Sequence, residues 1–154
     1  MPARRYRSDR LGGRATVPTV AAAGVLVVFD PRASSRRALE RAAALDAPLT
    51  VVALAPRDQR GSRCMLNSPD LEIAVRAAAA RDLAAAREQL GERAPDASFV
   101  LLAASAPHEL GRWAAAGGFT QAMIGKRRAL RGVRARDPLS RALARAGIEV
   151  TLVD

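Results

Sequence analysis

The sequence VLVVF at residues 25–29, followed at once by Asp30 and Pro31, decides the fold class. It is a short, unbroken apolar run rich in β-branched residues, which is typical of a strand buried on both faces of a parallel sheet. From Ser34 or Ser35 onward, apolar side chains recur at intervals of three and four as far as Leu45. This spacing predicts a helix capped by one of the two serine hydroxyls.

The same alternation continues along the rest of the chain. Helical spacing and breaker residues predict three further helices, at residues 69–90, 107–116 and 138–146. Four more apolar runs predict strands at residues 49–54, 99–103, 122–125 and 148–153. Since strands joined by helical crossovers form right-handed parallel connections, the sequence predicts an α/β domain with an open five-stranded parallel sheet and helices on both faces.

The first 22 residues differ from the remainder. They show no helical or strand period, contain few apolar side chains, and carry five arginines at positions 4, 5, 7, 10 and 14. Such composition is typical of a chain that cannot bury a core. We therefore expect a disordered basic tail at residues 1–22 and a folded domain at residues 23–154.

Composition limits the classes of protein to consider. With 154 residues and 49% hydrophobic content, one domain can bury a core without disulfides or metals. The single cysteine, Cys64, excludes an intramolecular disulfide and favours a cytoplasmic location. No apolar run approaches the roughly 20 residues of a spanning helix, and the first residues lack a secretory signal. We expect a protein that is neither inserted into a membrane nor exported.

The sequence offers little for catalysis or metal binding. Nucleophilic catalysis needs a base within reach of the nucleophile, and the only histidine, His108, is expected on the surface at the start of a helix. One histidine and one cysteine cannot supply a zinc site. We therefore predict no catalytic residue and no metal ligand.

Taken together, several segments resemble the universal stress protein family. An apolar strand that ends in Asp30 precedes a helix with Ser35, Ala38 and Leu39 at the family's offsets. Further matching segments follow in family order: VVAL at residues 51–54, SAPHEL at 105–110, IG at 124–125 and IEVTLV at 148–153. The resemblance covers residues 24–154. It implies strand order 3-2-1-4-5 and a regulatory, ligand-sensing domain in stress response, not an enzyme.

The resemblance also implies a nucleotide site, because many family members bind ATP at the carboxyl ends of the strands. The candidate residues for this site in the chain are Asp30, Val52, Gly125, Arg127, Arg128, Gly132 and Ser140. Asp30 would face the adenosine side of the nucleotide. As an alternative, it satisfies only loop amides near Ser34.

The phosphate loop departs from the family pattern of Gly, two residues, Gly, nine residues, Gly and then Ser or Thr. Gly125 fits the first position, but Arg128, Pro138 and Leu139 stand at the others. An arginine crowds the approach to phosphate that glycine allows, and proline lacks the amide donor. We therefore expect weak or lost ATP binding. Because Gly132 and Ser140 are nearby, the alternative is an ATP-binding member with a modified loop and at most slow ATP hydrolysis.

The net charge of +10 leaves a third alternative, since it favours anionic partners. Beyond the tail, the basic residues concentrate after the fourth predicted strand, at Lys126, Arg127, Arg128, Arg131, Arg134 and Arg136. These segments could bind nucleic acid or acidic partners nonspecifically, or the loop could simply be solvated. An Ala- and Arg-rich composition is also typical of a GC-rich genome, so charge alone identifies no partner.

The last predicted strand suggests how two copies associate. Family members commonly pair through this strand, and here it would present Ile148, Val150 and Leu152. An apolar strand left unpaired at the edge of a sheet favours association. We therefore expect a homodimer formed through this edge.

Overall fold

The computed structural model describes residues 24–56, 69–127 and 137–154. All nine expected helices and strands lie in these ranges, with bounds within about two residues of those predicted. The N-terminal tail, Cys64 and the basic loop from Arg128 to Arg136 lie outside the described residues. In chain order the elements are β1 (Val25–Val28), α1 (Ala33–Ala43), β2 (Leu49–Pro56), α2 (Pro69–Leu90), a 3-10 turn (Gly91–Asp96), β3 (Ala97–Ala104), α3 (Pro107–Ala116), β4 (Gln121–Gly125), α4 (Pro138–Arg145) and β5 (Glu149–Val153).

The strands form one parallel sheet in the order β3-β2-β1-β4-β5, which confirms the predicted topology. The central strand, β1, pairs with β2 on one side and with β4 on the other, so that Val25 lies between Leu49 and Gln121. All four residues of β1 are buried. This explains why its sequence is apolar without alternation.

Helices cover both faces of the sheet. On one face, α1 and α2 enclose a core that includes Val27, Leu39 and Leu83. On the other, α3 and α4 enclose a second core with Leu110 and Leu143 among its buried residues. The sheet therefore separates two cores, one under each pair of helices.

The start of α1 differs from the prediction. The N-cap residue is Arg32, and neither its side chain nor a serine caps the helix. Ser34 and Ser35 lie in the first turn, where their hydroxyls donate to Lys126 O at 2.8 Å and to Asp30 Oδ1 at 2.9 Å. The expected serine cap was wrong because α1 begins at Ala33, which places both serines inside the first turn and not at the N-cap position.

The apolar side chains of α2 lie in the core mainly in its second half. Ala79, Leu83, Ala86 and Leu90 lie in the core, whereas Leu71 is 42% exposed. The helix ends at Leu90, and Gly91 follows with φ of +54°, a conformation that glycine adopts without strain. None of the helices in the described ranges is long and apolar enough to span a membrane.

Candidate functional site

The candidate site is the crevice where the connections of the sheet change direction. From β1 the chain proceeds to β2 and β3, and it then returns to place β4 on the other side of β1. Open α/β sheets bind ligands beyond the carboxyl ends of the strands at such a point. Asp30 follows β1 here, and Gly125 ends β4.

Asp30 is surrounded by donors from its own loop. Its Oδ1 accepts hydrogen bonds from the Arg32 amide at 3.0 Å, from Arg32 Nε at 2.8 Å and from Ser35 Oγ at 2.9 Å. Its Oδ2 accepts from Arg32 Nε at 2.9 Å and from Arg32 Nη2. A carboxylate offers about four lone-pair positions. All the acceptor capacity of Asp30 is therefore used within the chain.

These contacts keep the carboxylate charged. Partial burial raises the pKa of Asp30, but hydrogen bonds from Arg32 and Ser35 and the charge of Arg32 outweigh burial and lower it below the ordinary value of 3.8. In the other direction, the hydrogen bond to Asp30 raises the pKa of Arg32. Asp30 and Arg32 therefore form a fixed ion pair at the mouth of the crevice.

Gly125 allows β4 to meet the first turn of α1. A Cβ atom at this position would lie 2.3 Å from Ser35 N and 2.5 Å from the carbonyl carbon of Ser34. The next amide, of Lys126, donates to Val153 O at 2.7 Å. The space beside Gly125 is thus filled by α1, and the amide that follows it belongs to the contact with β5.

Two further acids act on this ion pair. Asp137 is the N-cap of α4, where its Oδ1 accepts from the Leu139 amide at 3.2 Å. The charge of Asp137 contributes to the raised pKa of Arg32. On the other face of the sheet, burial and the charge of Asp30 raise the pKa of Asp82 in α2, against an opposing effect of Arg81.

Asp137 also has an unsatisfied atom. Its Oδ2 is buried and has no hydrogen-bond partner within the described residues. Because its charge acts on Arg32, Asp137 extends the charged cluster of the crevice from β1 to the start of α4.

The structure brings together only some of the residues that were predicted for the nucleotide site. Asp30 and Gly125 are brought together through Ser35, and Arg127 lies exposed beyond the end of β4. Val52 is 0% exposed, and its carbonyl accepts from the Phe29 amide. Ser140 donates to Asp137 O at 3.0 Å within the first turn of α4. Arg128 and Gly132 lie outside the described residues.

The described residues do not fit ATP in this arrangement. A ribose hydroxyl that donated to Asp30 would have to displace Arg32 or Ser35, because the carboxylate has no free lone pair. On the side of Gly125 where a Cβ atom would lie, the backbone of α1 leaves no room for a phosphate. No group of three or more His, Cys, Asp or Glu side chains suited to hold a metal ion occurs in the described ranges.

Arg32 and Asp137 are the site residues that sequence reasoning missed. Local signals for both exist in the sequence. Asp30 and Arg32 flank Pro31 in a tight turn, where an aspartate commonly accepts from the amide two residues on. Asp137 precedes Pro138, and aspartate followed by proline is a frequent helix start.

The expected dimer edge is a sheet edge in this structure. β5 pairs with β4 alone among the described strands. Leu152 is 39% exposed and Val150 is half-buried, whereas Ile148 lies in the core beneath α4. The apolar part of the surface of this edge therefore comes from Val150 and Leu152.

Comparisons with known proteins relate this architecture to one group. No family model matches the sequence, and no curated protein is significantly similar to it. A universal stress protein family member from Burkholderia pseudomallei superposes with a TM-score of 0.59 at 22% identity, over 84% of this chain and 93% of that chain. UspA from Lactobacillus plantarum gives 0.59 at 15% identity, over 86% and 97%. A universal stress protein in complex with cAMP gives 0.57 at 19%, over 86% and 97%. The chain has the universal stress protein fold, which confirms the resemblance seen in the sequence.

Proposed function

We propose that this chain is a cytoplasmic regulatory domain of the universal stress protein type, with no catalytic activity and with weak or no binding of ATP. The observation that carries the proposal is the saturation of Asp30 by Arg32 and Ser35. The universal stress protein fold supports the regulatory role. The departures at Pro138 and Leu139 support weak phosphate binding, because they remove a glycine and a hydroxyl from the family's loop pattern.

The ion pair opposes nucleotide binding energetically. Hydrogen bonds to a charged group contribute about 1.5–3 kcal/mol each, and partial exposure of both side chains places this pair toward the lower end of that range. Every 1.4 kcal/mol corresponds to about a tenfold change in affinity. A nucleotide that had to displace Arg32 would therefore bind up to about tenfold more weakly than one that met a free carboxylate.

Calorimetric titration with ATP and magnesium tests the proposal. We expect no binding by the unchanged protein in the low micromolar range. An Arg32→Ala variant should bind ATP more tightly than the unchanged protein, whereas an Arg36→Ala variant should not. Arg36 is a matched control, since it lies one turn further along α1 and is exposed.

Two results would contradict this reading. Low micromolar binding that is lost on Asp30→Ala would favour the alternative, an ATP-binding member with a modified phosphate loop. The solved neighbour in complex with cAMP supports that alternative, because it holds an adenine nucleotide. An Arg32→Ala variant that bound no better than the Arg36→Ala variant would remove Arg32 as the barrier.

We also propose that two copies pair through β5. The support is an edge strand with a half-buried Val150 and a partly exposed Leu152. In sedimentation at micromolar concentration we expect a dimer of the 16.3 kDa chain. Val150→Lys should produce monomers, whereas Ser98→Lys, on the edge strand β3 at the opposite side of the sheet, should not. A monomeric unchanged protein, or equal masses for both variants, would contradict pairing through β5.

A nonspecific role with nucleic acid remains a third proposal. Of the basic residues in the loop after β4, Lys126 forms an ion pair with Asp154, Arg127 is exposed, and the others lie outside the described residues. The net charge of +10 supports attraction to phosphates without sequence preference.

A further inference from the structure

A groove runs between α3 and α4 on the outer surface of the domain, on the face of the sheet opposite α1 and α2. Its volume is about 430 Å³, which lies within the range of roughly 300–1,000 Å³ typical of small-molecule sites. Its lining includes small or rigid residues from α3, α4 and the C-cap of α4. They are Pro107, Gly111, Pro138, Ala142 and Ala146.

The walls of the groove are basic. Arg112 comes from α3, and Arg141 and Arg145 come from successive turns of α4. None of these three guanidinium groups has a hydrogen-bond or ion-pair partner within the described residues. The lining includes His108, which is exposed at the first turn of α3 as expected, but no acidic side chain.

The two walls are held at a fixed separation. A Cβ atom at Gly111 would lie 2.7 Å from the carbonyl oxygen of Ala142, so the backbones of α3 and α4 are in direct contact there. Beneath this contact, Leu110 and Leu143 are fully buried in the second core. A ligand that entered the groove would therefore meet guanidinium groups carried by two helices that are already packed together.

The side chains that line the groove favour anions of a particular kind. Planar guanidinium groups bind phosphate and carboxylate oxygens through paired hydrogen bonds. Three of them around one small groove match a ligand with several negative charges. Apart from His108, the lining has no aromatic ring on which a base could stack. The arginines lie around one partly open groove on two helices and do not extend along a stripe, as a nucleic-acid backbone would require.

We propose that the groove between α3 and α4 binds a small ligand with two or more linked phosphate groups, held by Arg112, Arg141 and Arg145. This site is separate from the crevice at Asp30 and does not depend on whether ATP binds there.

Calorimetric titration with inorganic tripolyphosphate tests the proposal. The groove variant changes Arg112, Arg141 and Arg145 together to Gln. The control variant changes Arg36, Arg41 and Arg81 together to Gln, which removes the same charge from α1 and α2 on the other face of the sheet. We expect the groove variant to bind at least tenfold more weakly than the unchanged protein, and the control to stay within about threefold of it.

Amide chemical shifts of the unchanged protein give an independent measurement that needs no variant. On addition of tripolyphosphate, we expect the largest changes at residues 107–112 and 138–146. Changes spread evenly over the basic surface, or concentrated at Lys126 and Arg127, would overturn the proposal. Equal losses of affinity in the groove and control variants would also overturn it.

Parallel titrations distinguish the source of the phosphates and the competing partners. If tripolyphosphate and long-chain polyphosphate bind with equal affinity per site, the proposal is supported, and both the short ligand and the polymer can supply the linked phosphates. A glutamate-rich peptide of similar charge that bound as tightly as tripolyphosphate would overturn the preference for phosphate. Duplex DNA that bound through the groove while tripolyphosphate did not would overturn the small-ligand proposal in favour of nucleic acid.

Discussion

The crevice behind β1 and the groove between α3 and α4 place arginine in opposite situations. In the crevice, the side chain of Arg32 donates hydrogen bonds to Asp30, two residues away in the sequence. In the groove, Arg112, Arg141 and Arg145 surround a concave surface without a partner among the described residues. The comparison shows that Asp30, at the position usually associated with ligands in this fold, is internally satisfied, whereas within the described ranges the arginines of the groove are not.

The two regions also differ in how tightly a glycine is enclosed, and this predicts the largest effect. Gly125→Ala would drive a Cβ into the backbone of α1, 2.3 Å from Ser35 N. We expect a loss of about 3 kcal/mol or more in the free energy of unfolding, at the top of the range for overpacking. Gly111→Ala should lose less, about 1–2 kcal/mol, since alanine's helix propensity offsets part of the clash with Ala142.

Urea denaturation of both alanine variants measures the difference. A Gly125→Ala variant as stable as the unchanged protein would show that β4 and α1 do not meet as closely as described. The comparison would be reversed if Gly111→Ala proved the more destabilised of the two.

The second prediction compares the stability lost when one charged side chain is removed from the crevice with that lost when one is removed from the groove. Asp30→Ala leaves the hydroxyl of Ser35, a residue that is 1% exposed, without its acceptor, and it leaves Arg32 unpaired. We expect a loss of about 1–3 kcal/mol, the usual cost of a buried polar group left unsatisfied. Arg141→Ala should change stability by no more than about 0.5 kcal/mol, as is usual for a surface position. Similar losses in thermal or urea unfolding would mean that the groove arginines are as structural as the crevice.

The third and smallest prediction concerns pH. Because the pKa of Asp30 is lowered in the folded state, its stabilising contribution is present above the ordinary value of 3.8 and is lost as the pH falls through the folded pKa. The pKa of Asp82 is raised, so its penalty is present at neutral pH and disappears as the pH falls from that raised pKa toward 3.8.

Substitutions to Asn separate these two contributions. Asp30→Asn should lower stability near neutral pH, and the deficit should shrink in acid. Asp82→Asn should raise stability near neutral pH by less than about 1 kcal/mol, and the gain should vanish in acid. Urea unfolding at several pH values measures both. Deficits or gains that did not vary with pH would mean that the charges of these carboxylates are not responsible.

The fold was predictable because its signals are local. Each strand is a short apolar run, each helix repeats at three-to-four spacing, and parallel crossovers leave few topologies open. The start of α1 was predicted too late. The helix begins at Ala33, so Ser34 and Ser35 lie in its first turn, where their hydroxyls donate to Lys126 O and Asp30.

The candidate site was less predictable, because its residues are in contact with one another in ways that the sequence does not show. The sequence identifies Asp30 and Gly125, but it does not show that Arg32 saturates the carboxylate or that α1 covers the glycine. The groove was not predicted at all. Its arginines belong to helices separated by β4 and the basic loop, and only the packing of α3 against α4 brings them together.

The position of β1 in the middle of the sheet has a consequence for the order of folding. Val25 pairs with Leu49, only one helix away along the chain, and with Gln121, which follows three strands and three helices. Closing the longer loop costs more entropy before any contact compensates it. We therefore expect β1, β2 and β3 to assemble with α1 and α2 before β4 docks. Because Gly125 arrives with β4, the crevice is complete only in the last stage of folding, and a local opening that released β4 would dismantle it while the earlier half stayed intact.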